Sequence, residues 1–349
     1  MKTVLAAVSG GIDSAATALF LKKEGYNVSG INYLLSEMDS VDTSFQLSGQ
    51  LGIPVFSADI RNVFQKTIIS YFIGGYLAGE TPAPCSLCNP VIKWKYLQKY
   101  ADKHGIEYIA TGHYINIAKT NNKYFVQKAK DPVKDQSYYL WGLGQEILSR
   151  ALTPLGNYTK TEIKTIMSEK GYENFSRKKE SMSVCFLGGK NYTEFLKENI
   201  PDVANLQNGI ITDKSGNTIG KHSGYPFYTV GQKRGFNLTV EEELFIIRID
   251  AENNRLICGK KEELLSNILY IRDFISPDIE MLLNSTNISV KIRGLGINPE
   301  GFCRLSIEGN FLKVILSDQA YAPANGQPVV FYKDDLVVGG GILDHYENL

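Results

Sequence analysis

The sequence lacks an excess of charge of either sign, and it lacks any apolar run long enough to cross a membrane. Its 349 residues include 37 basic and 37 acidic side chains, for a net charge of +0. Bulk charge therefore favours no class of partner, and a nucleic-acid-binding protein of this composition needs a local basic face. Since no apolar leader precedes the first predicted strand, we expect a cytoplasmic protein without a membrane partner.

The sequence also lacks internal repeats, low-complexity segments and a regular set of disulfide cysteines. Its five cysteines are an odd number, which argues against a disulfide framework and is typical of reduced thiols. A chain of 349 residues is long enough for two or three domains with full cores.

A glycine-containing turn stands near the start of the chain. Residues 3–8 are apolar and β-branched and predict a buried strand, after which Ser9, Gly10 and Gly11 lead into a helix that ends near Gly25. Glycines let the backbone approach an anion closely, and the free N–H groups of a helix N-terminus point at it. The turn has no lysine after its glycines, unlike the G-x-x-x-x-G-K-[ST] loop. It resembles instead the S-G-G-x-D-S loop of ATP pyrophosphatases, which adenylate a substrate and release pyrophosphate.

Strands and helices alternate over about the first 150 residues. Further strands are predicted at residues 28–34, 55–60 and 108–113, and helices at 40–51, from 61 to about 77, and at 89–104. This alternation predicts an α/β fold with a doubly wound parallel sheet, whose ligands lie beyond the carboxyl ends of the strands. The turn at residues 9–14 and the Gly112-His113 dipeptide both fall at such ends.

The pattern changes after Pro201. Residues 151–200 are mostly helical, whereas short β-like segments and glycine turns follow, and from about residue 269 the chain is a series of short strands. Such spacing predicts a small β-barrel. We expect a catalytic α/β domain over residues 1–200, a small β-rich domain over 201–268 and a C-terminal β-barrel over 269–349.

Two cysteines, Cys85 and Cys88, lie three residues apart in a proline-containing segment. We expect this segment to be a loop just before a helix, whose N-terminus favours a thiolate. From the residues alone three interpretations stay open: buried structural thiols, half of a four-thiol zinc site, or a reactive thiol site.

A third cysteine, Cys185, has basic and glycine neighbours that also suit a thiolate, among them Lys178 and Lys179. In contrast, Cys258 and Cys303 lie in apolar strand segments, and we expect both to pack in the interior.

Further motifs follow the first turn in order along nearly the whole chain. They are C-N-P-V-I-K-W from Cys88, A-T-G-H-Y at 110–114, K-D-Q-S-Y-Y-L at 134–140, S-V-C-F-L-G-G around Cys185, G-K-H-S-G at 220–224, Y-T-V-G-Q-K-R-G at 228–235, N-G-Q-P-V-V-F-Y at 325–332 and G-G-G-I at 339–342. Together they resemble the MnmA family of tRNA-specific 2-thiouridylases. The resemblance implies an adenine-nucleotide α-hydrolase-like domain, ATP and Mg²⁺ as cofactors, and tRNA and a persulfide sulfur-donor protein as partners.

The resemblance also implies roles for individual residues. Those implied to hold or approach ATP are Ala7, Val8, Ser9, Gly10, Gly11, Ile12, Asp13, Ser14, Tyr33 and Gly112. Cys185 is implied to carry the persulfide and Cys88 to be the nucleophile and its disulfide partner, while Cys85 lies where the family contacts the target base. Positions implied to contact tRNA are His113, Lys134, Asp135, Gln136, Arg293 and Gln327. Taken alone, His113 would be typical of a strand end, and residues 134–136 of a solvated loop.

The chain departs from the family pattern at three places. Where the family has N-P-D-x-x-C, this chain has A-P-C-S-L-C at 83–88, so the thiol of Cys85 replaces an acidic residue assigned to proton transfer. Arg293 is followed by Gly294 instead of an aromatic residue, which weakens that expected tRNA contact. The region between the second and third strands is also short.

The sequence therefore predicts an ATP-dependent tRNA sulfurtransferase that makes 2-thiouridine at the wobble position. AMP attached to the C2 oxygen makes it a leaving group, and sulfur comes from a cysteine persulfide. One alternative is a thiolase in which Cys85, Cys88 and Cys185 are the metal ligands of a [4Fe–4S] cluster with one open iron. Another is a paralogue that binds tRNA or a persulfide carrier without catalysis.

Overall fold

A computed structural model describes residues 1–176, 184–201, 203–206, 209–294 and 296–347. The chain forms two compact units. The first unit comprises Met1–Ile68, Cys85–Phe186 and Asp335–Gly339, and the second comprises Ile69–Pro84, Leu187–Asp334 and Gly340–Leu349. None of the described helices is long and apolar enough to cross a membrane.

A parallel sheet forms the centre of the first unit. Its strands, in spatial order, are Val55–Asp59, Asn27–Leu34, Thr3–Ala7, Tyr108–Ala110 and Ala151–Leu152. The strand order reverses on either side of Thr3–Ala7, which pairs in parallel with both neighbours. Such a reversal opens a crevice at the carboxyl ends of the strands. The predicted doubly wound sheet is confirmed.

Helices cover this sheet, and their apolar side chains pack with those of the strands in one core. The α-helices of the first unit are Ile12–Lys23, Val41–Leu51, Arg61–Phe64, Pro84–Cys88 (whose first residue falls in the second unit), Lys95–Lys103, Gln145–Leu148, Lys160–Glu169 and Glu173–Ser176. The helix Val41–Leu51 shows how capping residues set the two ends of a helix. The Ser40 side chain accepts the Asp42 N–H at its start, and Gly52 ends it with a φ of 60°, in the left-handed region that glycine adopts easily.

Two helical segments contain a π-helical turn, at Gln65–Ile69 and at Asn89–Trp94. In the second of these, Pro90 has no N–H to donate, so the regular hydrogen-bond ladder cannot pass through it. The predicted helix from residue 89 in fact begins at Pro84. Cys85 and Cys88 therefore lie inside its first turn and not in a loop before it.

A hairpin of the first unit was absent from the sequence prediction. Strands Asn116–Thr120 and Lys123–Gln127 pair antiparallel around Asn121 and Asn122. Both turn residues have positive φ, 50° and 60°, as two-residue hairpin turns require.

The second unit contains a mixed central sheet and a barrel. The central strands, in spatial order, are Asn237–Leu238, Thr218–His222, Gly209–Thr212, Arg255–Gly259 and Phe245–Asp250. The α-helices of the second unit are Ser70–Leu77, Tyr192–Asn199 and Ile279–Asn284.

Two cysteines of the second unit are buried. Cys258 is 1% and Cys303 3% exposed, so both pack in the interior as expected.

The C-terminal barrel has six antiparallel strands. They are Leu265–Ile275, Phe311–Tyr321, Phe302–Glu308, Ile288–Lys291, Pro328–Lys333 and Leu336–Glu347. Pairing of the last strand with the first closes the barrel. The predicted C-terminal barrel is confirmed.

Candidate active site

The turn after the first strand is held by its own hydrogen bonds. The Ser14 hydroxyl accepts the Ser9 N–H at 3.1 Å and donates to the Gly11 carbonyl at 2.9 Å. Gly10 has a φ of 74°, which a side chain would strain. The Asn32 amide donates to the Val8 carbonyl at 2.7 Å and so ties the turn to the second strand. The N-terminus of the first helix is thereby fixed in one orientation.

A cavity of about 270 Å³ opens at this turn, near the lower end of the range for small-molecule sites. Of the residues predicted to hold a nucleotide, Ala7, Val8, Ser9, Asp13, Ser14, Tyr33 and Gly112 line it. Gly10, Gly11 and Ile12 belong to the same turn but do not line the cavity. Its lining also includes His113, Gln136 and Lys93.

Glycine is explained differently at Gly112, which lines the cavity, and at Gly11, which lies in the adjoining turn. A Cβ on Gly112 would lie 2.8 Å from the Asp13 carbonyl carbon and 2.9 Å from the Ser14 nitrogen, so the fold itself requires glycine there. A Cβ on Gly11 would have Ser9 Oγ, at 3.7 Å, as its nearest described neighbour, and Gly11 has an ordinary φ of −89°. The space beside Gly11 is therefore left open to a ligand.

Asp13 has a cationic partner that the sequence analysis did not find. The Lys160 ammonium donates to both Asp13 carboxylate oxygens at 2.7 Å, and the Tyr114 hydroxyl donates to Oδ1 at 2.8 Å. Lys160 itself is buried, and its backbone N–H donates to Asp131. Asp13 thus faces the cavity and, through Lys160, holds the helix Lys160–Glu169 to the turn at residues 9–14.

His113 is held as a neutral imidazole. Its Nδ1 lies 2.8 Å from the Thr111 hydroxyl, and its ring stacks on Trp94 with centroids 6.0 Å apart. Burial, aided by the Lys93 charge, lowers the pKa of His113 to about 3. The side chain can therefore form hydrogen bonds with a ligand at neutral pH without carrying a charge.

The three candidate thiols converge on Lys93. Cys88 is 4% exposed, Cys85 is half-buried and Cys185 is exposed on a short 3₁₀ turn, Cys185–Leu187. The Lys93 backbone N–H bonds to the Cys88 sulfur, and the charges of the thiols and the Lys93 ammonium influence one another. Lys93 therefore lies at both the cavity and the thiols, and the sequence analysis did not single it out.

The expectation of thiolates at the helix N-terminus is wrong for Cys85 and Cys88. Burial raises the pKa of both, that of Cys88 to about 12, although Lys93 acts in the opposite direction. Both are neutral thiols at pH 7. Burial alone would lower the pKa of Lys93, but Cys88, Cys185 and Cys85 outweigh it and raise that pKa, so its ammonium stays charged. Lys178 and Lys179, expected beside Cys185, lie outside the described residues.

The described residues include no group of three His, Cys, Asp or Glu side chains placed to hold a metal ion. Cys85, Cys88 and Cys185 all lie within that part of the chain, so as placed they do not fit a cluster. All five cysteines, each among the described residues, are free thiols. The disulfide expected between Cys88 and Cys185 is therefore absent from this state.

The residues predicted to contact tRNA lie in both units. Asp135 accepts the Ala129 N–H and the Ser137 hydroxyl, and Gln136 accepts the Tyr114 N–H at 2.9 Å. This segment is therefore an internally bonded turn and not a solvated loop. In the same turn, the Lys134 backbone N–H donates a hydrogen bond to the Asp131 carboxylate.

In the second unit, the Arg293 guanidinium donates to the Ala322 carbonyl. The buried Gln327 Oε1 has no hydrogen-bond partner within the described part of the chain. Neither the Arg293 hydrogen bond nor the environment of the Gln327 oxygen can be predicted from the sequence, because both depend on how strands distant in the chain pack together.

Comparison with known proteins accounts for nearly the whole chain. The model of the tRNA methyl transferase HUP domain matches residues 2–189, that of the tRNA methyl transferase PRC-barrel domain residues 193–260, and that of the Aminomethyltransferase beta-barrel domain residues 265–343. The chain is 40% identical over 346 residues to a tRNA-specific 2-thiouridylase MnmA of Phocaeicola vulgatus, with 97% of each chain covered. The chain belongs to the MnmA family. A second MnmA, from Amoebophilus asiaticus, is 39% identical over 357 residues and covers 97% of this chain and 94% of its own.

The family predicted from the motifs is thereby confirmed. Among solved structures, a 4-thiouridine synthetase–RNA complex with bound ATP is similar at 17% identity, over 58% of this chain and 51% of that one, with a TM-score of 0.37. That likeness is too low to carry an argument about this MnmA-family site.

A Gly11→Ala substitution tests whether the turn holds phosphate. The added methyl group meets open space, so we expect a folded protein whose ATP affinity, measured by calorimetry, falls at least about tenfold as backbone N–H groups are screened. The matched control is Gly49→Ala, in a helix where no described atom would lie within 4 Å of the Cβ. It should raise stability by about 0.5–1 kcal/mol and leave ATP affinity unchanged. Parent-like ATP binding by Gly11→Ala would contradict the assignment.

The neutral His113 makes stability depend on pH. Because its folded pKa is lowered to about 3, the unfolded state binds more protons below about pH 6.5. This contribution is complete above that pH and is lost as pH falls, by up to about 1.4 kcal/mol per pH unit. Urea unfolding at pH 7 and pH 5 should therefore give a smaller difference for His113→Gln than for the parent. Equal differences would mean that His113 is protonated in the folded protein.

Proposed function

We propose that this chain makes 2-thiouridine at the wobble uridine of tRNA, with ATP activating the C2 oxygen and a cysteine persulfide supplying sulfur. One observation carries the proposal: Lys93 lines the cavity, and its ammonium interacts electrostatically with Cys85, Cys88 and Cys185. Activation and sulfur delivery must meet at one carbon atom, and Lys93 is a residue that both the cavity and the thiols share.

The turn at residues 9–14 would bind the ATP phosphates. Its glycines and the N-terminus of the helix Ile12–Lys23 offer backbone N–H groups to an anion. Mg²⁺ would come with the triphosphate, held mainly by phosphate oxygens and water, with the Asp13 carboxylate nearby. Lys160 holds that carboxylate in place through hydrogen bonds to both of its oxygens. The uridine oxygen attacks the α-phosphorus, and pyrophosphate leaves.

Cys185 and Cys88 would then deliver sulfur. Cys88 attacks the inner sulfur of a Cys185 persulfide, so that a Cys88–Cys185 disulfide forms and hydrosulfide leaves. Hydrosulfide attacks C2 of the adenylated uridine, and AMP leaves with the oxygen. A dithiol reductant must restore both thiols. Lys93 would favour the Cys88 thiolate at the moment of attack, against the burial that otherwise keeps it neutral.

The tRNA would contact His113, Lys134, Asp135 and Gln136 in the first unit and Arg293 and Gln327 in the second. The neutral imidazole of His113 and the Gln136 amide lie on the cavity lining, where they suit base and sugar contacts better than phosphate contacts. We retain the predicted domain boundaries after residues 200 and 268, and the cytoplasm as the location, as parts of this proposal.

A [4Fe–4S] cluster on Cys85, Cys88 and Cys185 is the second candidate mechanism. The C-x-x-C spacing and the thiol of Cys85 in place of the family's acid favour it. Against it stands the lack of a ready metal-holding arrangement among the described side chains. We therefore derive no step through a cluster and favour the persulfide.

Substitution of single cysteines tests the sulfur pathway. Cys88→Ser and Cys185→Ser should each lower thiolation at least about a hundredfold, because one removes the attacking thiol and the other the carrier. ATP binding should persist in both. Cys258→Ser is the control, since Cys258 packs in a strand. Nucleoside mass spectrometry of the tRNA product measures the outcome. Equal loss in all three would mean that the thiols are structural.

The role of Cys85 is tested by comparing Cys85→Ala with Cys85→Asp under anaerobic purification. With the persulfide mechanism, both proteins and the parent should be free of iron, and Cys85→Ala should keep most of its activity. With a cluster, the parent should contain about four irons per chain, Cys85→Ala should lose iron and activity together, and Cys85→Asp should keep part of both, since a carboxylate also binds iron.

A further inference from the structure

Three exposed apolar side chains lie close together at the start of the helix Val41–Leu51. Met38 is 93% exposed, Val41 61% and Phe45 83%. Val41 and Phe45 are one helical turn apart and lie on the same face. Single exposed apolar residues are ordinary, but a cluster marks a surface that another molecule covers. We call Met38, Val41 and Phe45 the apolar patch.

The helix does not need the patch for its own packing. Its buried side chains are Ser44, Leu47 and Leu51, and the Ser57 hydroxyl of the third strand donates to Ser44 at 2.7 Å. The patch therefore lies on the face turned away from the sheet, where its apolar area stays in water unless a partner covers it.

Contacts join the patch to the segment that carries Cys185. Glu37 directly precedes the patch and accepts a hydrogen bond from Arg61 at 2.7 Å. Arg61 begins a single helical turn that ends at Phe64, whose ring meets that of Phe186 edge-on with centroids 6.0 Å apart. One turn of helix, about 5.4 Å long, thus holds both the patch segment and the neighbour of the exposed thiol.

The charges around the patch exclude RNA as its occupant. Glu37, Asp39, Asp42 and Asp59 supply four carboxylates, which are exposed, and Arg61 is shared between Glu37 and Asp59. Carboxylates repel the phosphates of a polynucleotide but attract the lysines and arginines of a protein surface. An apolar centre with a charged rim is the ordinary form of a protein–protein interface.

We infer that the apolar patch docks the protein that delivers sulfur to Cys185, a persulfide donor whose own contact surface is apolar with a basic rim. This inference rests on the proposed role of Cys185 as persulfide carrier. Docking there would bring the donor cysteine to the exposed thiol of Cys185, while Cys88 stays buried.

The transfer needs no external oxidant or reductant. The Cys185 thiolate attacks the terminal sulfur of the donor persulfide, the sulfur–sulfur bond of the donor breaks, and a new one forms on Cys185. The donor cysteine leaves as a thiolate and takes up the proton that Cys185 lost. The terminal sulfur atom therefore keeps its oxidation state as it moves from the donor cysteine to Cys185.

Phe45→Lys tests the inference, with Phe302→Lys as the matched control on a barrel strand, where Phe302 is 55% exposed. Thiolation is measured with two sulfur sources, a cysteine desulfurase charged with cysteine and inorganic sulfide, which needs no donor protein. We expect Phe45→Lys to lower kcat/KM for the desulfurase at least about tenfold, with the sulfide-driven rate and tRNA affinity unchanged. Phe302→Lys should match the parent with both sources.

The remaining outcomes distinguish failure of the docking inference from failure of the proposed function. Parent-like desulfurase kinetics in Phe45→Lys, or loss of tRNA affinity, would overturn the docking assignment while leaving the proposed function intact. A parent that thiolates with sulfide but not with the desulfurase would also contradict the docking of a donor protein. A parent that thiolates tRNA with neither source would refute the proposed function itself, and the docking inference with it.

Discussion

The close approach of two backbone segments at the carboxyl edge of the parallel sheet determines the site. Gly112 lies against the backbone of Asp13 and Ser14, closer than any Cβ permits. This contact sets the walls of the cavity and places His113 beside it. Because Asp13 also binds Lys160, the same contact fixes the helix that follows Ala151–Leu152. The shape of the cavity thus depends on a glycine at this position.

Burial determines the electrostatics of the site. It keeps Cys88 protonated and His113 neutral, whereas the ammonium of Lys93 stays charged. The pKa of Lys93 is raised because any thiolate that forms beside it favours the charged ammonium. The site therefore has a positive charge where negative charge would develop during sulfur transfer, while the buried Cys88 stays protonated beforehand.

Much of the architecture could be predicted from sequence because it depends on local patterns. Strand–helix alternation gave the parallel sheet, and evenly spaced short strands gave the barrel. The hairpin around Asn121 and Asn122 was missed although its turn residues signal it. Lys160 was missed because its partner Asp13 is remote in the chain. The thiolate prediction for Cys88 failed because the helix dipole is a local effect, whereas desolvation depends on packing from distant segments.

The unequal exposure of Cys88 and Cys185 has a consequence for turnover. If the two form a disulfide, a reductant can reach only the exposed Cys185 sulfur. Attack there expels Cys88 as the leaving group, and a thiol whose pKa is about 12 leaves slowly. Regeneration of the resting thiols therefore depends on Lys93, whose charge can neutralise the departing Cys88 sulfur.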